Sequence, residues 1–242
     1  MSAVAKLSAA DFDRLRKLDT CTVSNAIERL KVRLRDEGFA SSAVRCQFPQ
    51  LGPMLGYAVT ARVRSSQPPI KGRWYQERMD WWDYVAGMPE PRVMVVQDID
   101  ETPGFGAFMG AVHSAIALAL GCVGCVTNGA VRNLNKVESM GLHLFAGGVT
   151  VSHGYAHIVD FGEPVEVGGL KISPGDLIQG DVHGIQTIPL SIAPQIPGVA
   201  ETVLNQDREI VEFCRSPEFS LQGLSQVLKR LSDGGAGRES PQ

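Results

Sequence analysis

The first thirty residues carry hydrophobic and polar positions at the spacing of amphipathic helices. Ser8 and Asp11 form a capping-box pattern, which predicts a short helix that runs to about Leu18. Thr22 or Ser24 is expected to start a second helix, because the apolar residues around them share one helical face, namely Val23, Ala26, Ile27 and Leu30. The pattern therefore predicts that two amphipathic helices begin the domain.

The middle of the chain alternates between strand and helix patterns. Apolar residues at every second position of 56–63 predict a half-buried strand, whereas the uniformly apolar run 93–96 predicts a fully buried one. The other predicted elements are an aromatic helix over 74–85, a glycine-rich turn over 103–110, a helix that ends at Leu120 and a strand over 122–127. This strand–helix–strand order favours parallel pairing and an α/β fold.

Beyond Leu144, short strand patterns dominate until two helical patterns close the chain. Predicted strands cover 149–152, 157–161, 165–167, 170–172, 177–180 and 185–188, and the third and fourth form a hairpin across Gly168-Gly169. Helical spacing returns over 199–213 and 220–231, and 233–242 is expected to be disordered. We therefore expect one domain over 1–195, a helical extension over 196–232 and a disordered tail over 233–242.

Composition narrows the classes of partner. The chain has 242 residues, of which 44% are hydrophobic, enough for one large core. A formal net charge of −3 and a pI near 6.0 leave no basic excess for nucleic acid. Residues 1–17 lack the apolar run of a signal peptide, and the longest apolar stretch, 115–126, is too short to span a bilayer. These features predict a soluble, cytoplasmic protein with no nucleic-acid or membrane partner.

The five cysteines are irregularly spaced, which predicts reduced thiols rather than a disulfide framework. Cys122 and Cys125 form a C-x-x-C, but they lie in a predicted strand, where alternation is expected to send them to opposite faces. No second C-x-x-C completes a zinc site, so packing in the core is the favoured interpretation.

Three glycines precede the helix that ends at Leu120, namely Gly104, Gly106 and Gly110. Backbone N–H groups at such a helix start can hold an anion, although the glycines also fit a flexible loop. Met109 stands where the dinucleotide-binding fingerprint has its third glycine, which argues against that site. Arg132 follows a strand and a predicted Gly129-Ala130 turn, so its guanidinium can hold a carboxylate at the helix start or form a surface salt bridge.

The order of these parts resembles the RraA-like superfamily, which contains 4-hydroxy-4-methyl-2-oxoglutarate aldolases, oxaloacetate decarboxylases and the regulator of ribonuclease activity A. The resemblance runs from about Leu18 to Pro189. Its most specific stretches are Gly110 to Arg132, which ends in Asn128-Gly129-Ala130-Val131-Arg132, and Pro174-Gly175-Asp176 through Gly180-Asp181-Val182-His183-Gly184 to Pro189. Residues 151–155 and 159–170 also look like one branch of the superfamily.

The resemblance implies an α/β fold of the RraA-like type, a layered α/β/β/α sandwich with a barrel-like central sheet and flanking helices. It also implies a homotrimer or homohexamer with pockets at subunit interfaces. An acidic residue of a neighbouring subunit contributes to the aldolase site, and the pattern does not place it among Glu201, Glu209 and Glu212.

The same resemblance implies a site for a small 2-oxo acid or dicarboxylate, assisted by Mg²⁺ or Mn²⁺. In the superfamily's aldolases the substrate is bound by backbone N–H groups and by an arginine that matches Arg132, the expected catalytic residue. The N–H groups match the segment Gly110, Ala111, Val112 and His113.

Two acidic positions of those aldolases differ in this chain. Ala111 stands where they carry Asp or Glu, and Asn133 stands at the position of a metal-binding Asp. Cleavage beside a 2-oxo group leaves an enolate whose charge a divalent metal absorbs in these enzymes, and an amide is a weak metal ligand. The aldolase mechanism therefore does not transfer intact.

Other titratable residues have simpler explanations than metal binding or catalysis. His153 and His157 lie on a predicted strand, about 13 Å apart at about 3.3 Å per residue, which is too far for one ion. Solvated, capping or loop roles account for the remaining candidates, including a lysine considered for a Schiff base: Asp98, Asp100, Glu138, Asp181, His183 and Lys136.

Three functions remain open at this point. A lyase that acts on a small 2-oxo acid and yields pyruvate is favoured by the resemblance, and it predicts a divalent-metal requirement. A non-catalytic protein that binds a small anion or a partner protein is favoured by Ala111 and Asn133. The third is a metal-free enzyme in which Arg132 and the helix dipole catalyse an easier reaction, such as enol–keto tautomerisation.

Overall fold

The computed structural model describes residues 7–69 and 78–235 of the chain. The helices are α1 (Ala9–Leu15), α2 (Thr20–Arg29), α3 (Met79–Gly87), α4 (Ala111–Ala119), α5 (Leu134–Met140), α6 (Ile196–Arg215) and α7 (Leu221–Gly235). The strands are β1 (Arg45–Cys46), β2 (Met54–Arg64), β3 (Arg92–Asp98), β4 (Ala107–Met109), β5 (Cys122–Val131), β6 (His143–Val149), β7 (His157–Phe161), β8 (Val165–Val167), β9 (Leu170–Ile172), β10 (Leu177–Asp181) and β11 (Gly184–Ile188).

A nine-stranded sheet lies at the centre of the described part of the chain. Its order is β1-β6-β5-β3-β2-β10-β11, and β4 and β7 pair beside the ends of β5 and β2. The inner strands β2, β3, β5 and β6 run parallel, as the strand–helix–strand pattern predicts. The sheet is nearly closed and barrel-like, and helices flank it, so the expected α/β class with a barrel-like core is confirmed.

Three apolar clusters hold the helices and the β8–β9 hairpin on this sheet. Trp81 and Trp82 of α3 pack with residues of α4 and α5 on one side. The hairpin covers a second cluster, which includes Val165 and Ile172. The third cluster joins α1, α2 and the first turns of α6, where Ile196 is fully buried. The predicted extension from 196 therefore begins inside the core of the domain.

The two N-terminal helices form as predicted, but the second starts earlier than expected. Ser8 caps α1 by accepting a hydrogen bond from the Asp11 N–H at 3.1 Å. The cap of α2 is Asp19, whose carboxylate accepts from the Thr22 N–H at 2.8 Å, so the choice of Thr22 or Ser24 as helix start was wrong. A carboxylate at this position satisfies an orphan N–H and also complements the helix dipole.

Several strand predictions need correction, because contacts with neighbouring elements determine bounds and burial that the local sequence pattern does not indicate. β2 is buried on both faces for most of its length, since apolar clusters cover the sheet on either side of it. Of the strand predicted over 149–152, only Val149 belongs to a strand, as the last residue of β6, which runs close to β5 at Gly147. A Cβ on Gly147 would lie 2.2 Å from the Asn128 carbonyl oxygen, so a glycine allows this close strand approach. The aromatic helix begins at Met79, and its predicted part over 74–77 lies outside the described residues.

Cys122 and Cys125 lie in the same core cluster and not on opposite faces as predicted. The pairing of β3 with β5 shifts register between Arg92 and Val93, which leaves one extra residue, Val123, in β5 between the two cysteines. Burial raises the pKa of the Cys122 thiol to about 12 and also raises that of Cys125. Both are free thiols packed as apolar side chains.

The C-terminal helices lie where the helical spacing predicts them. α7 continues to Gly235, which is three residues into the segment predicted to be disordered, and 236–242 lie outside the described residues. Among the described helices none combines the length and the apolar character needed to cross a membrane.

Candidate functional site

β4 brings the predicted site residues together. This short strand pairs in parallel with the end of β5, matching Ala107 with Ala130 and Met109 with Val131. The Arg132 N–H then donates to the Met109 carbonyl at 3.0 Å. Two segments that are 22 residues apart in sequence therefore end side by side, Gly110 at the start of α4 and Arg132 at the end of β5. The predicted Gly129-Ala130 turn is absent, because both residues belong to β5.

Gly110 allows the close approach of these two ends. Its backbone is extended and buried, and a Cβ there would lie 3.2 Å from Arg132 Nε and 3.2 Å from Asn133 Oδ1. A side chain at this position would push the guanidinium and the amide away from the helix start. The functional constraint on this glycine is therefore its lack of a side chain.

The first turn of α4 presents open N–H groups beside Arg132. Gly110 has no side chain to cap the helix, and Ser114 makes the first intrahelical bond, to the Gly110 carbonyl at 2.9 Å. Ala111 and Val112 therefore carry N–H groups that lack an acceptor within their own helix. Asn133 Oδ1 accepts from the Ala111 N–H at a long 3.4 Å. The positive end of the helix dipole adds to the attraction for an anion here.

The Arg132 guanidinium is half-buried, and within the described residues it forms no ion pair and no hydrogen bond. This observation argues against the alternative of a structural salt bridge. A bidentate donor next to open N–H groups is the arrangement that recognises a carboxylate. Lys136 is exposed on α5, one helical turn further on, where its amine adds positive charge.

The side chains of the first turn have different surroundings. Val112 is 61% exposed, whereas the His113 ring is buried between Trp82 and Phe108, with ring centroids 4.9 and 4.3 Å away. His113 Nδ1 is paired with the Phe108 carbonyl at 3.1 Å, and burial lowers the pKa of His113 to about 3. The His113 imidazole therefore belongs to the core packing beneath α4.

The acids Asp98 and Asp100 organise the loop that leads into β4. Asp98 accepts from the Gly104 N–H at 2.8 Å and from the Asp100 N–H at 3.1 Å. Asp100 accepts from the N–H groups of Ser65 and Ser66 at 2.7 and 2.8 Å, and the Ser65 hydroxyl accepts from the Gly106 N–H at 2.9 Å. These capping roles agree with the simpler interpretation of both acids. The serines escaped the sequence analysis because nothing in their local pattern distinguishes them.

Asn128 is a second residue that sequence reasoning missed. Its amide pairs with both backbone groups of Asp98, accepting from the N–H at 2.7 Å and donating to the carbonyl at 2.9 Å. This contact fixes the exit of β3 against β5. The signal available in the sequence is a single amide side chain within a buried strand. A buried amide is stable there only when it has a specific hydrogen-bond partner.

The remaining acids do not assemble a metal site. Within residues 7–69 and 78–235 no three His, Cys, Asp or Glu side chains are grouped so that they could hold an ion. Asn133 and Ala111 stand at the two positions where the resemblance implies acids, and Glu138 is hydrogen-bonded to Gln50. The described residues of one chain therefore do not fit a divalent metal.

The closing motif lies at the opposite end of the sheet. Gly180 pairs with Met54 at the start of β2, whereas Arg132 follows the end of β5, which runs parallel to β3 and hence to β2. Asp181 accepts from the Thr20 N–H and hydroxyl, both at 2.7 Å, and from the His183 N–H at 2.9 Å. Burial alone would raise the pKa of Asp181, but these hydrogen bonds outweigh it and lower the pKa. The structural role considered for this motif fits these contacts.

A cleft of about 750 Å³ lies between the segment after α2 and the end of α7. Four basic side chains line it, a local patch that the overall composition concealed: Arg29, Lys31, Arg33 and Arg35. The three arginines have partners, since Arg35 pairs with Glu28, Arg33 donates to the Thr187 carbonyl and Arg29 is bonded to Gln206. Arg132 is the better candidate for recognising an anion, because its donors are open.

The chain is similar to known proteins over most of its length. The family model described as RraA-like, Aldolase/RraA, matches residues 20–186. A protein of Halalkalibacterium halodurans named "Putative 4-hydroxy-4-methyl-2-oxoglutarate aldolase" is 33% identical over 84 residues, which are 34% of this chain and 40% of that protein. The chain thus aligns with less than half the length of that relative.

Two solved structures share the fold at low sequence identity. An uncharacterized protein from Pseudomonas syringae pv. tomato has a TM-score of 0.72 at 22% identity, over 94% of this chain and 97% of its own. Streptomyces coelicolor RraAS2, described as an unusual member of the RNase ES inhibitor RraA protein family, has a TM-score of 0.65 at 19% identity, over 87% of this chain and 99% of its own. At these identities the likeness concerns the fold.

Proposed function

Since the chain belongs to the RraA-like (Aldolase/RraA) family, we propose that it binds a small 2-oxo acid or dicarboxylate and cleaves it as a carbon–carbon lyase that yields pyruvate. The observation that carries this proposal is the Arg132 guanidinium, without an ion pair in the described chain, beside the open N–H groups of α4. A relative named as an aldolase supports the reaction class.

The proposed ligand follows from the chemistry of this pair of elements. A carboxylate has two oxygens that accept a bidentate pair of hydrogen bonds from Arg132. The adjacent 2-oxo oxygen lies one bond further along the ligand and is suited to the N–H groups of Ala111 and Val112. A neutral ligand gains neither the guanidinium nor the helix dipole, so the site favours anions over their esters or amides.

The same donors stabilise charge that develops during cleavage. In a decarboxylation of oxaloacetate the bond between C3 and the distal carboxylate breaks, CO₂ leaves, and the electron pair forms the enolate of pyruvate, which then takes a proton. In this arrangement the first-turn N–H groups face the enolate oxygen, while Arg132 holds the adjacent carboxylate. Donors that are already oriented toward a developing oxyanion are worth about 2.7–4 kcal/mol each in a well-studied hydrolase.

A second candidate function is binding without turnover. Ala111 and Asn133 favour it, because they remove the two acidic groups on which the metal-dependent chemistry of the superfamily depends. In this case the chain would hold a small carboxylate at Arg132 and act through that bound state or through a protein partner.

The test is pyruvate release from oxaloacetate and from 4-hydroxy-4-methyl-2-oxoglutarate, with Mg²⁺, with Mn²⁺ and with a chelator. Protein-free blanks at the same metal concentration correct for spontaneous decarboxylation. We expect turnover by the wild type and an Arg132→Ala variant whose kcat/KM is about 10- to 100-fold lower, because hydrogen bonds to a charged group contribute about 1.5–3 kcal/mol. Arg45→Ala removes one arginine from the exposed β1 edge and should leave the rate unchanged.

Measuring pyruvate binding together with turnover distinguishes the two candidate functions. Pyruvate binding that depends on Arg132, with no turnover under any condition, supports the non-catalytic function. If pyruvate does not bind and neither substrate is cleaved, both candidates are wrong.

A further inference from the structure

Asn133 precedes α5, and its side chain lies against the start of α4. It follows Arg132 in the left-handed conformation, with φ 59° and ψ 37°, a region that asparagine tolerates better than most residues. This turn brings its side chain back over Gly110, so that Oδ1 lies 3.4 Å from the Ala111 nitrogen. The amide therefore lies in the space next to Arg132 that the proposed ligand needs.

The amide has properties that a carboxylate at this position would lack. Its Oδ1 accepts one hydrogen bond and its Nδ2 donates two, so it can interact with either an N–H group or an anionic oxygen. A carboxylate accepts only, and next to Arg132 it would form an ion pair that neutralises the guanidinium. Once the guanidinium is neutralised in this way, a bound cation is needed to attract the carboxylate of a ligand.

The charges around the site fit an amide at residue 133 better than a carboxylate. Arg132 is cationic and has no acidic partner in the described chain, and the start of α4 carries the positive end of the helix dipole. Asp98 and Asp100, before β4, are engaged by N–H groups of Gly104, Ser65 and Ser66, and Glu138 is bonded to Gln50. The site thus has a positive field without a metal, and it holds no acidic set that would recruit one.

We propose that this site binds its carboxylate ligand without a divalent cation, and that the Asn133 amide acts as the second side-chain donor beside Arg132. Without ligand, Oδ1 accepts from the Ala111 N–H. A ligand oxygen takes over that N–H, and rotation of the amide directs Nδ2 at the ligand. This inference rests on the proposed carboxylate site and specifies how that site replaces the metal.

Metal binding and ligand binding are measured separately on the full chain. Isothermal titration calorimetry with pyruvate is performed in chelator and in Mn²⁺, and bound Mn²⁺ is counted from the loss of the free-ion electron paramagnetic resonance signal. The wild type should bind pyruvate with the same affinity, within about 3-fold, in both conditions. It should not take up Mn²⁺ at concentrations near that of the protein.

Variants of residue 133 test the role of the amide. Asn133→Asp should bind pyruvate at least 10-fold more weakly in chelator, and Mn²⁺ should restore binding. Ala111→Glu/Asn133→Asp should take up Mn²⁺ most readily. Asn133→Gly keeps the left-handed turn accessible but removes the donor, so its pyruvate affinity should fall about 3- to 10-fold in both conditions.

Two results would overturn the inference while leaving the proposed function intact. The first is wild-type binding that appears only with Mn²⁺ and is lost in chelator. The second is tighter binding by Asn133→Gly, which would identify the amide as a competitor of the ligand and not as a donor. Absence of pyruvate binding in every condition would instead refute the proposed carboxylate site itself.

Discussion

The consecutive residues Arg132 and Asn133 have different structural roles, because the backbone changes direction between them. Arg132 is still held by the sheet through its N–H bond to Met109, whereas Asn133 turns the chain into α5. The arginine and the first-turn N–H groups of α4 were predictable from the order of a glycine, a helix and a strand. The contact of Asn133 with Ala111 was not, since it requires a left-handed residue whose conformation no neighbour in the sequence dictates.

His113 makes stability depend on pH, because its ring is buried in the core between Trp82 and Phe108. Its pKa of about 3 in the folded chain lies below the usual 6.5, so the unfolded chain binds one more proton between these values. Stability is therefore fully present above pH 6.5 and is lost as pH falls, by at most about 1.4 kcal/mol per pH unit. Burial also lowers the pKa of His143, which acts in the same direction.

Urea unfolding of the wild type and of His113→Gln from pH 8 to pH 4.5 measures this effect. The variant should be less stable at pH 8 but should lose less stability on acidification. Above pH 6.5 the free energies of unfolding of the two proteins should depend on pH in the same way. Equal slopes below pH 6.5 would show that His113 gains its proton as readily in the folded chain as in the unfolded one.

At the scale of elements, the local sequence pattern predicted those helices and strands that form through their own residues. It missed those that form only by pairing with a neighbouring strand. The β8–β9 hairpin has the predicted bounds because its glycine pair and its alternation are both local. β4 was missed, since three residues inside a glycine-rich stretch become a strand only by pairing with β5. The proposed site depends on β4, so the sequence predicted its parts better than their arrangement.

Asp100 links β2, the loop before β4 and the start of the site. Burial would raise its pKa, but hydrogen bonds from Ser65 and Ser66 outweigh burial and lower the pKa. Asp100→Ala leaves two buried or half-buried N–H groups without their acceptor, so we expect the free energy of unfolding to fall by about 2–4 kcal/mol. Asp100→Asn keeps one accepting oxygen and should lose about half as much.

Asp160→Ala is the matched control for this prediction, measured by the same urea unfolding at pH 7. Its carboxylate pairs with Arg62 at the surface, where both side chains are more than a third exposed. Surface pairs contribute about 0–1 kcal/mol, so this variant should remain close to the wild type. A similar loss in both alanine variants would contradict the special role of the Asp100 network.

At the scale of the molecule, the described residues leave an apolar surface exposed next to the proposed site. Five large apolar side chains around the ends of β4, β5 and β6 are between 50 and 93% exposed: Phe105, Val112, Val149, Val151 and Tyr155. Local contacts tie this region together, since the Ala107 N–H donates to the Ser152 carbonyl and a Cβ on Gly154 would touch Phe105. Apolar surface of this kind next to a binding site is typical of a protein interface.

We therefore expect the chain to assemble as the homotrimer or homohexamer that the resemblance implies, with this surface covered by a second copy. Val151→Asp places a charge on its most exposed member and should shift the mass in analytical ultracentrifugation toward the monomer at about 10 μM protein. Val211→Asp, on the exposed face of α6, makes the same substitution elsewhere and should keep the wild-type mass. Pyruvate binding that is lost together with assembly would place part of the binding site on the partner copy, whereas a monomeric wild type would refute the assembly and require the single chain to bind alone.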